Sequence, residues 1–434
     1  MNTKTTTAVL NKQNGNITLT PNDEQRFVSL GDAKVFFDGT IYSPTSGASG
    51  VEIISEKLQV DHLEASRAFL DEVEGDFAFI IAEPERIIAG RDPVGVQPLY
   101  YGEKQNVAAF GSNRKALWKL GINQVRSFPP GHVGLVSRDG FKFKPVKTLA
   151  YSEPAQVTMQ EAAETLQEML EQSVQMRVSG VEDVAVAFSG GLDSSVVAFL
   201  AKKCQINVHL VHVSLENHPE TEQAKKAADA LGLPLQVHLF TEEDVERTVP
   251  KVVGIIEEAD PVKASIGVPF YWAAEKTAES GFKVLLAGQG ADELFGGYQR
   301  YVNEYLTHGE EAVRKTMFGD VVGIHESNLE RDMKICSFHD VELRVPFGAY
   351  KIAEYAMSLP VELKIEKHAD TLRKLVLRKA TENMGLPTSI TEKTKKAVQY
   401  STGINNALKK IAKKQKVTLA EYVKKLFLNQ ATQN

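Results

Sequence analysis

Seven consecutive residues, Ser189-Gly190-Gly191-Leu192-Asp193-Ser194-Ser195, carry the plainest chemistry in the chain. Two adjacent glycines let a backbone bend so that successive N–H groups face one anion, and a helix starting there adds its partial positive end. Ser194 and Ser195 can donate further hydrogen bonds, and Asp193 sets a carboxylate beside the anion. A strand-to-helix turn with an Asp/Ser cap would use some of the same residues; the whole string, placed directly after an apolar strand, favours the anion site. It is not a Walker A loop, which needs Lys-Ser/Thr after its glycines. Nor does a Gly-x-Gly-x-x-Gly follow a strand, because Gly288-Gln289-Gly290-Ala291-Asp292-Glu293 breaks that pattern.

A second glycine-rich string runs from Ala287 to Tyr298 and contains Asp292 and Glu293. Carboxylates on such a turn suit magnesium, which takes one or two protein oxygens and completes its shell with water and substrate phosphates. Asp193 is the natural second protein ligand. The plainer alternative is a loop whose acids are merely solvated.

These strings need elements that bring them to one place. From Thr158, which opens a helix as a capping box with Glu161, strands alternate with helices. Strands are expected at Val184–Phe188, Val208–Val213, Leu235–Phe240 and Lys283–Ala287. Helices are expected at Ser194–Lys203, Glu220–Leu231 (ended by Gly232), Glu242–Glu258 and Phe270–Ser280. Short apolar strands with helical crossovers imply a parallel sheet with helices on both faces, and such sheets bind ligands at the carboxyl ends of their strands. Both strings lie there. Beyond about Tyr298 the chain reads as mostly helical and lysine-rich. The first third differs: short strands, a helix at His62–Val73, and Asp38-Gly39 as the turn of a hairpin over Ala33–Tyr42. It reads as a separate α+β unit.

Composition narrows the class. The 434 residues exceed one ordinary domain, and 43% hydrophobic with 24% charged residues is a soluble globular balance. The net charge of −6 argues against a nucleic-acid footprint. Two cysteines, Cys204 and Cys336, exclude a disulfide framework, a zinc ribbon and an iron–sulfur site. No apolar run suits a bilayer and no secretory signal opens the chain, so a cytoplasmic protein without a membrane partner is the expectation.

The Ser189–Ser195 loop resembles the pyrophosphate loop of ATP pyrophosphatases, which split ATP between the α and β phosphates. More of the chain resembles the asparagine synthetase family: Gly288-x-Gly-Ala-Asp-Glu-Leu-Phe-Gly-Gly-Tyr298, Val341-Glu342-Leu-Arg344-Val-Pro-Phe347, Ala353–Leu363 and Leu375–Ala380. Gly75–Phe79 and Arg91–Tyr101 resemble its amino-terminal glutaminase domain. The resemblance implies an α/β protein: a degenerate α+β Ntn-hydrolase-like, class II amidotransferase-like domain over residues 1–150, and an ATP-pyrophosphatase domain over 158–434 whose parallel sheet is flanked by helices. It implies that Phe188, Val213, Ala287 and Gly288 frame adenine and ribose, with Ser189, Gly190, Gly191, Leu192, Ser194 and Ser195 at the phosphates. It further implies that Asp193 and Asp292 hold Mg2+ with ATP, that Lys395 neutralises phosphate charge, and that Glu342 and Gln289 lie near the acceptor. Glu342 could equally pair with Arg344. A homodimer is an assembly the resemblance allows.

The departures carry as much weight. Glutamine-hydrolysing members use an amino-terminal cysteine; here position two is Asn2 and no cysteine lies in the first third. The family's Asn-Gly-Glu string corresponds to Asp38-Gly39-Thr40. No glutaminase activity is therefore expected, and ammonia, an amine or a separate glutaminase partner must supply nitrogen. Gln289 stands where many members have Glu, and a glutamine cannot act as a base. Val262 and Ser265 replace residues that anchor the acceptor, with Lys263 nearby, and Ala349 replaces a usual Asp. These changes weaken the case for aspartate, the default small carboxylate, against another acid–amine pair of the kind that β-lactam-forming synthetases use. RNA modification would want a basic face and catalytic cysteines. A silent interaction protein would not need an intact loop and both aspartates.

Overall fold

The chain divides into two units, Met1–Leu149 and Ala150–Asn434. The computed structural model describes residues 5–21, 23, 26–43, 49–58, 61–367, 372–392 and 403–431.

Alternation along the strands builds the first unit. Its strands are β1 (Thr7–Asn11), β2 (Ile17–Thr20), β3 (Phe27–Leu30), β4 (Ala33–Ser43), β5 (Glu74–Ala82), β6 (Ile87–Arg91), β7 (Tyr100–Lys104), β8 (Val107–Gly111), β9 (Arg126–Ser127), β10 (His132–Ser137) and β11 (Gly140–Pro145). They form two antiparallel sheets, ordered β2-β1-β8-β7-β9 and β11-β10-β6-β5-β4-β3. In the second sheet Phe36, Ala78 and Ile80 join an apolar cluster with Leu10, Phe110 and Phe128 of the first. Their neighbours Val35, Phe37, Phe77, Phe79 and Ile81 pack instead with Ile54 of α1 (Gly50–Lys57) and Phe69 of α2 (His62–Glu72). A strand buried on both faces reads as an unbroken apolar run, which is what Phe77 to Ala82 shows.

The hairpin expected at Asp38-Gly39 does not exist. β4 runs straight through, with Asp38 opposite Ala78 and Gly39 opposite Phe77 on β5. The glycine serves a close backbone approach: a Cβ on Gly39 would lie 2.0 Å from the Asp76 carbonyl oxygen, and φ is +119°. Aspartate–glycine pairs signal turns only where the flanking strands can part, and β5 holds β4 along its length.

The second unit opens with α3 (Met159–Val178), whose Thr158–Glu161 capping box is present as expected. Ala162, Leu166, Leu170 and Val174 are buried along its stripe. Strands β12 (Asp183–Ala187), β13 (Asn207–Leu215), β14 (Leu235–Phe240), β15 (Val284–Leu286) and β16 (Glu342–Arg344) form one sheet, ordered β14-β13-β12-β15-β16. All four pairings are parallel. Helices α4 (Leu192–Lys203), α5 (Glu220–Leu231), α6 (Glu242–Ile256) and α7 (Pro261–Glu279) make the crossovers. The helix expected from Phe270 starts earlier, at Pro261, where Asp260 caps the N–H groups of Val262 and Lys263. Proline at the first helical position costs no hydrogen bond, so Pro261 is the true start, and Pro269 sits inside the helix. β16 was not expected, because three residues are too few to show a period.

Gly39→Ala should destabilise the first unit by about 2 kcal/mol or more, since the Cβ meets backbone rather than a yielding side chain. Urea denaturation followed on Met1–Leu149 signals measures it; an unchanged midpoint would contradict the close-approach account.

Candidate active site

The carboxyl ends of β12, β13 and β15 open on a cavity of about 820 Å³. Phe188, Ser189, Gly191, Leu192, Asp193, Ser194, Val213, Gly288, Gln289 and Asp292 line it. Gly190, Ser195 and Ala287 belong to the same segments without forming its wall; Ser195 is fully buried. The first loop is laced by its own serines: Ser189 Oγ accepts from the Gly191 N–H, and Ser194 Oγ from the Ser189 N–H, each at 3.3 Å. No side chain caps α4 at Gly191, so its first turn faces the loop with backbone donors.

One cation joins the two loops. Lys374 precedes α8 (Leu375–Asn383), and its Nζ lies 2.5 Å from Asp193 Oδ1 and 2.7 Å from Asp292 Oδ1. The residue is 2% exposed. Burial pulls its ammonium below the ordinary lysine value, and Asp193 pulls it back. Its backbone is left-handed, φ +63°, a conformation that costs a lysine of order 1 kcal/mol and that clusters at functional sites. Gly297 makes room for it: a Cβ there would lie 1.8 Å from Asp292 Oδ1 and 2.5 Å from Lys374 Cε. Arg378 of α8 lines the cavity alongside, held by the carbonyls of Arg373 and Thr391. Sequence reasoning missed Lys374. It stands one residue before the Leu375–Ala380 stretch, but it is one of 50 Lys and Arg side chains, and only the fold sets it apart.

Two carboxylates that already share one cation fit magnesium. Among the described residues no group of three or more His, Cys, Asp or Glu could hold a metal, so an ion here would take its remaining oxygens from water and phosphate.

Much of the remaining cavity wall is a set of internal pairs. Arg331 donates Nε and Nη2 to the two oxygens of Asp332, at 2.7 and 2.8 Å, with both residues buried. Gln289 Nε2 donates to Asp332 Oδ2 at 3.0 Å. This explains glutamine at position 289: a glutamate would set a second carboxylate against the buried Asp332. Glu293 accepts from Tyr298 Oη and Asn328 Nδ2, both at 2.6 Å, while burial raises its carboxyl above the ordinary range. Asn328 and Ser327 reach the wall from a π-helical turn, His325–Leu329, a device that sequence periodicity does not reveal. Arg300 pairs with Asp320 at 2.7 Å, and Lys263 pairs with Glu258.

One expected residue is not brought in, and one is not described. Glu342 does not line the cavity and clasps Arg344 with both oxygens, at 2.8 and 3.1 Å. Lys395 lies outside the described residues.

Comparison with known proteins points one way. The model of the family described as asparagine synthase matches residues 165–312 and 302–434, and that of the glutamine amidotransferase domain matches residues 13–119. The chain is 34% identical to the putative asparagine synthetase [glutamine-hydrolyzing] 1 of Methanocaldococcus jannaschii, over 80% of this chain and 72% of that one. It is 30% identical to asparagine synthetase [glutamine-hydrolyzing] 2 of Arabidopsis thaliana, over 79% and 61%. It is 28% identical to asparagine synthetase B [glutamine-hydrolyzing] of Escherichia coli, over 81% and 66%. The chain thus spans about two thirds of the length of these relatives.

Lys374→Met leaves two carboxylates facing without a shared cation. It should cost about 2–4 kcal/mol in chelator-treated buffer, and Mg2+ should restore more stability to this variant than to the parent. Thermal unfolding with and without Mg2+ reads both; equal Mg2+ responses would contradict a shared cation position.

Proposed function

The chain belongs to the asparagine synthase family, and from that premise we propose that it is an ATP-dependent carbon–nitrogen ligase. It adenylates a carboxylate and lets an amine or ammonia open the adenylate to an amide, with release of AMP and pyrophosphate. The observation that carries this reading is the meeting of Asp193, Asp292 and Lys374 beside the glycine loop, at the carboxyl edge of a parallel sheet.

The roles follow from the chemistry of each group. Phe188, Val213, Ala287 and Gly288 frame the nucleoside, and the loop N–H groups meet the phosphates. Asp193 and Asp292 hold Mg2+, which when bound offsets phosphate charge and favours departure of pyrophosphate. An acceptor carboxylate oxygen attacks the α-phosphorus; the bond to the bridging oxygen breaks, and pyrophosphate leaves with the electron pair. Lys374 and Arg378 stabilise the charge that moves onto it, with Lys395 as a further lysine. The amine nitrogen then attacks the acyl carbon, AMP departs with the former carboxylate oxygen, and the surplus proton on nitrogen passes to water. Gln289, whose amide nitrogen is engaged by Asp332, turns its oxygen to the incoming N–H and orients it without taking its proton.

Nitrogen comes from ammonia, an amine or a separate glutaminase. A glutaminase of this type needs a thiol, and Cys204 and Cys336 both belong to the second unit. Where the family has asparagine, the first unit carries Asp38, paired with Arg26.

Aspartate is the reference acceptor. A second acid is favoured by the pairing of the cavity's other cations: Lys263, Arg300 and Arg331 each have a carboxylate partner, so an acceptor's extra carboxylate must compete for them.

Pyrophosphate release with ATP, Mg2+, ammonium and a panel of acids including aspartate tests the reading. Release is expected with one acid or more, and Asp193→Asn and Asp292→Asn should each lower it about 100-fold or more. Full activity in both variants would remove the metal assignment. Incubation with glutamine alone should yield no glutamate; steady glutamate formation by the pure chain would overturn the nitrogen assignment.

A further inference from the structure

His212 lines the cavity from β13 and is 3% exposed. Its Nδ1 lies 2.9 Å from the Phe188 carbonyl oxygen. A carbonyl only accepts, so Nδ1 carries the proton and the tautomer is fixed. Burial holds the imidazole below its ordinary value, which keeps it neutral. A neutral ring protonated at Nδ1 has a lone pair at Nε2, and that atom is buried without a hydrogen-bond partner. A buried acceptor left unmet costs about 1–3 kcal/mol, which a ligand that fills the position recovers. Glu220 of α5 lines the same wall. A wall of acceptors repels phosphate and attracts donors, and the donors of ATP lie in its nucleoside half.

We propose that His212 is a nucleoside-recognition residue, with Nε2 accepting a hydrogen bond from an N–H or O–H of the nucleoside half of ATP. This rests on the ATP-binding reading above and adds a side-chain contact to its backbone frame. The donor is the adenine 6-amino group or a ribose hydroxyl, and both are one chemistry from the side of the protein.

Equilibrium binding with Mg2+ and no acceptor separates the arms. The ligands are ATP, 2′-deoxy-ATP, 3′-deoxy-ATP and the 5′-triphosphate of purine riboside, which lacks the 6-amino group. The parent should bind one of the three analogues about tenfold more weakly than ATP, as loss of one neutral hydrogen bond predicts. His212→Asn keeps a donor for the Phe188 carbonyl but has no acceptor at the Nε2 position, and should lose that discrimination while treating the other analogues as the parent does. His212→Gln sets an amide oxygen near the Nε2 position and should retain it. Equal discrimination in His212→Asn and the parent, or a parent that binds all three analogues as it binds ATP, would overturn the proposal. A parent that binds no ATP would instead remove the underlying reading, and the two failures are distinct.

Discussion

A buried ammonium shared by two carboxylates is the constraint around which the second unit is arranged. Lys374 meets Asp193 from the loop after β12 and Asp292 from the loop after β15. Taking the Lys374 ammonium out of water is expensive, and attraction to the two half-buried carboxylates offsets it only when the geometry is tight. The fold supplies that geometry at visible cost. Lys374 is held with φ +63°, and Gly297 has no side chain where one would strike both Asp292 and Lys374. An arrangement this costly earns no stability by itself, since an apolar cluster of equal volume would do as well. It does bring an exchangeable cation position and a buried lysine to one point, which is what a departing pyrophosphate requires.

The rest of the cavity follows from the sheet. Four parallel pairings put the carboxyl ends of all its strands on one edge, with β12 at the centre. Elsewhere in the cavity wall the cations are already neutralised: Arg331 by Asp332, Arg300 by Asp320 and Lys263 by Glu258.

Much of this was legible in the residues. The seven-residue loop, the Thr158 capping box and the Gly232 stop are local features, where identity and spacing determine backbone geometry. What escaped depends on partners distant in sequence. Asp38-Gly39 looked like a turn because the strand that holds it straight begins at Glu74. The helix expected from Phe270 begins at Pro261, where the Asp260 side chain caps it. Lys374 looked like any lysine until Asp193 came within reach. Asn328 needed a π turn, which has no periodic signature, and Glu342 was drawn to Arg344, two residues away.

The central claim is that an acceptor's carboxylate oxygen passes to the α-phosphorus at this site. Oxygen-18 in the acceptor's carboxylate tests it most directly, with product phosphates analysed by mass spectrometry after turnover with ATP, Mg2+ and ammonium. One label atom should appear in AMP and none in pyrophosphate. Label in inorganic phosphate, accompanied by ADP, would contradict the account, because the acid would then have been activated at the γ-phosphorus.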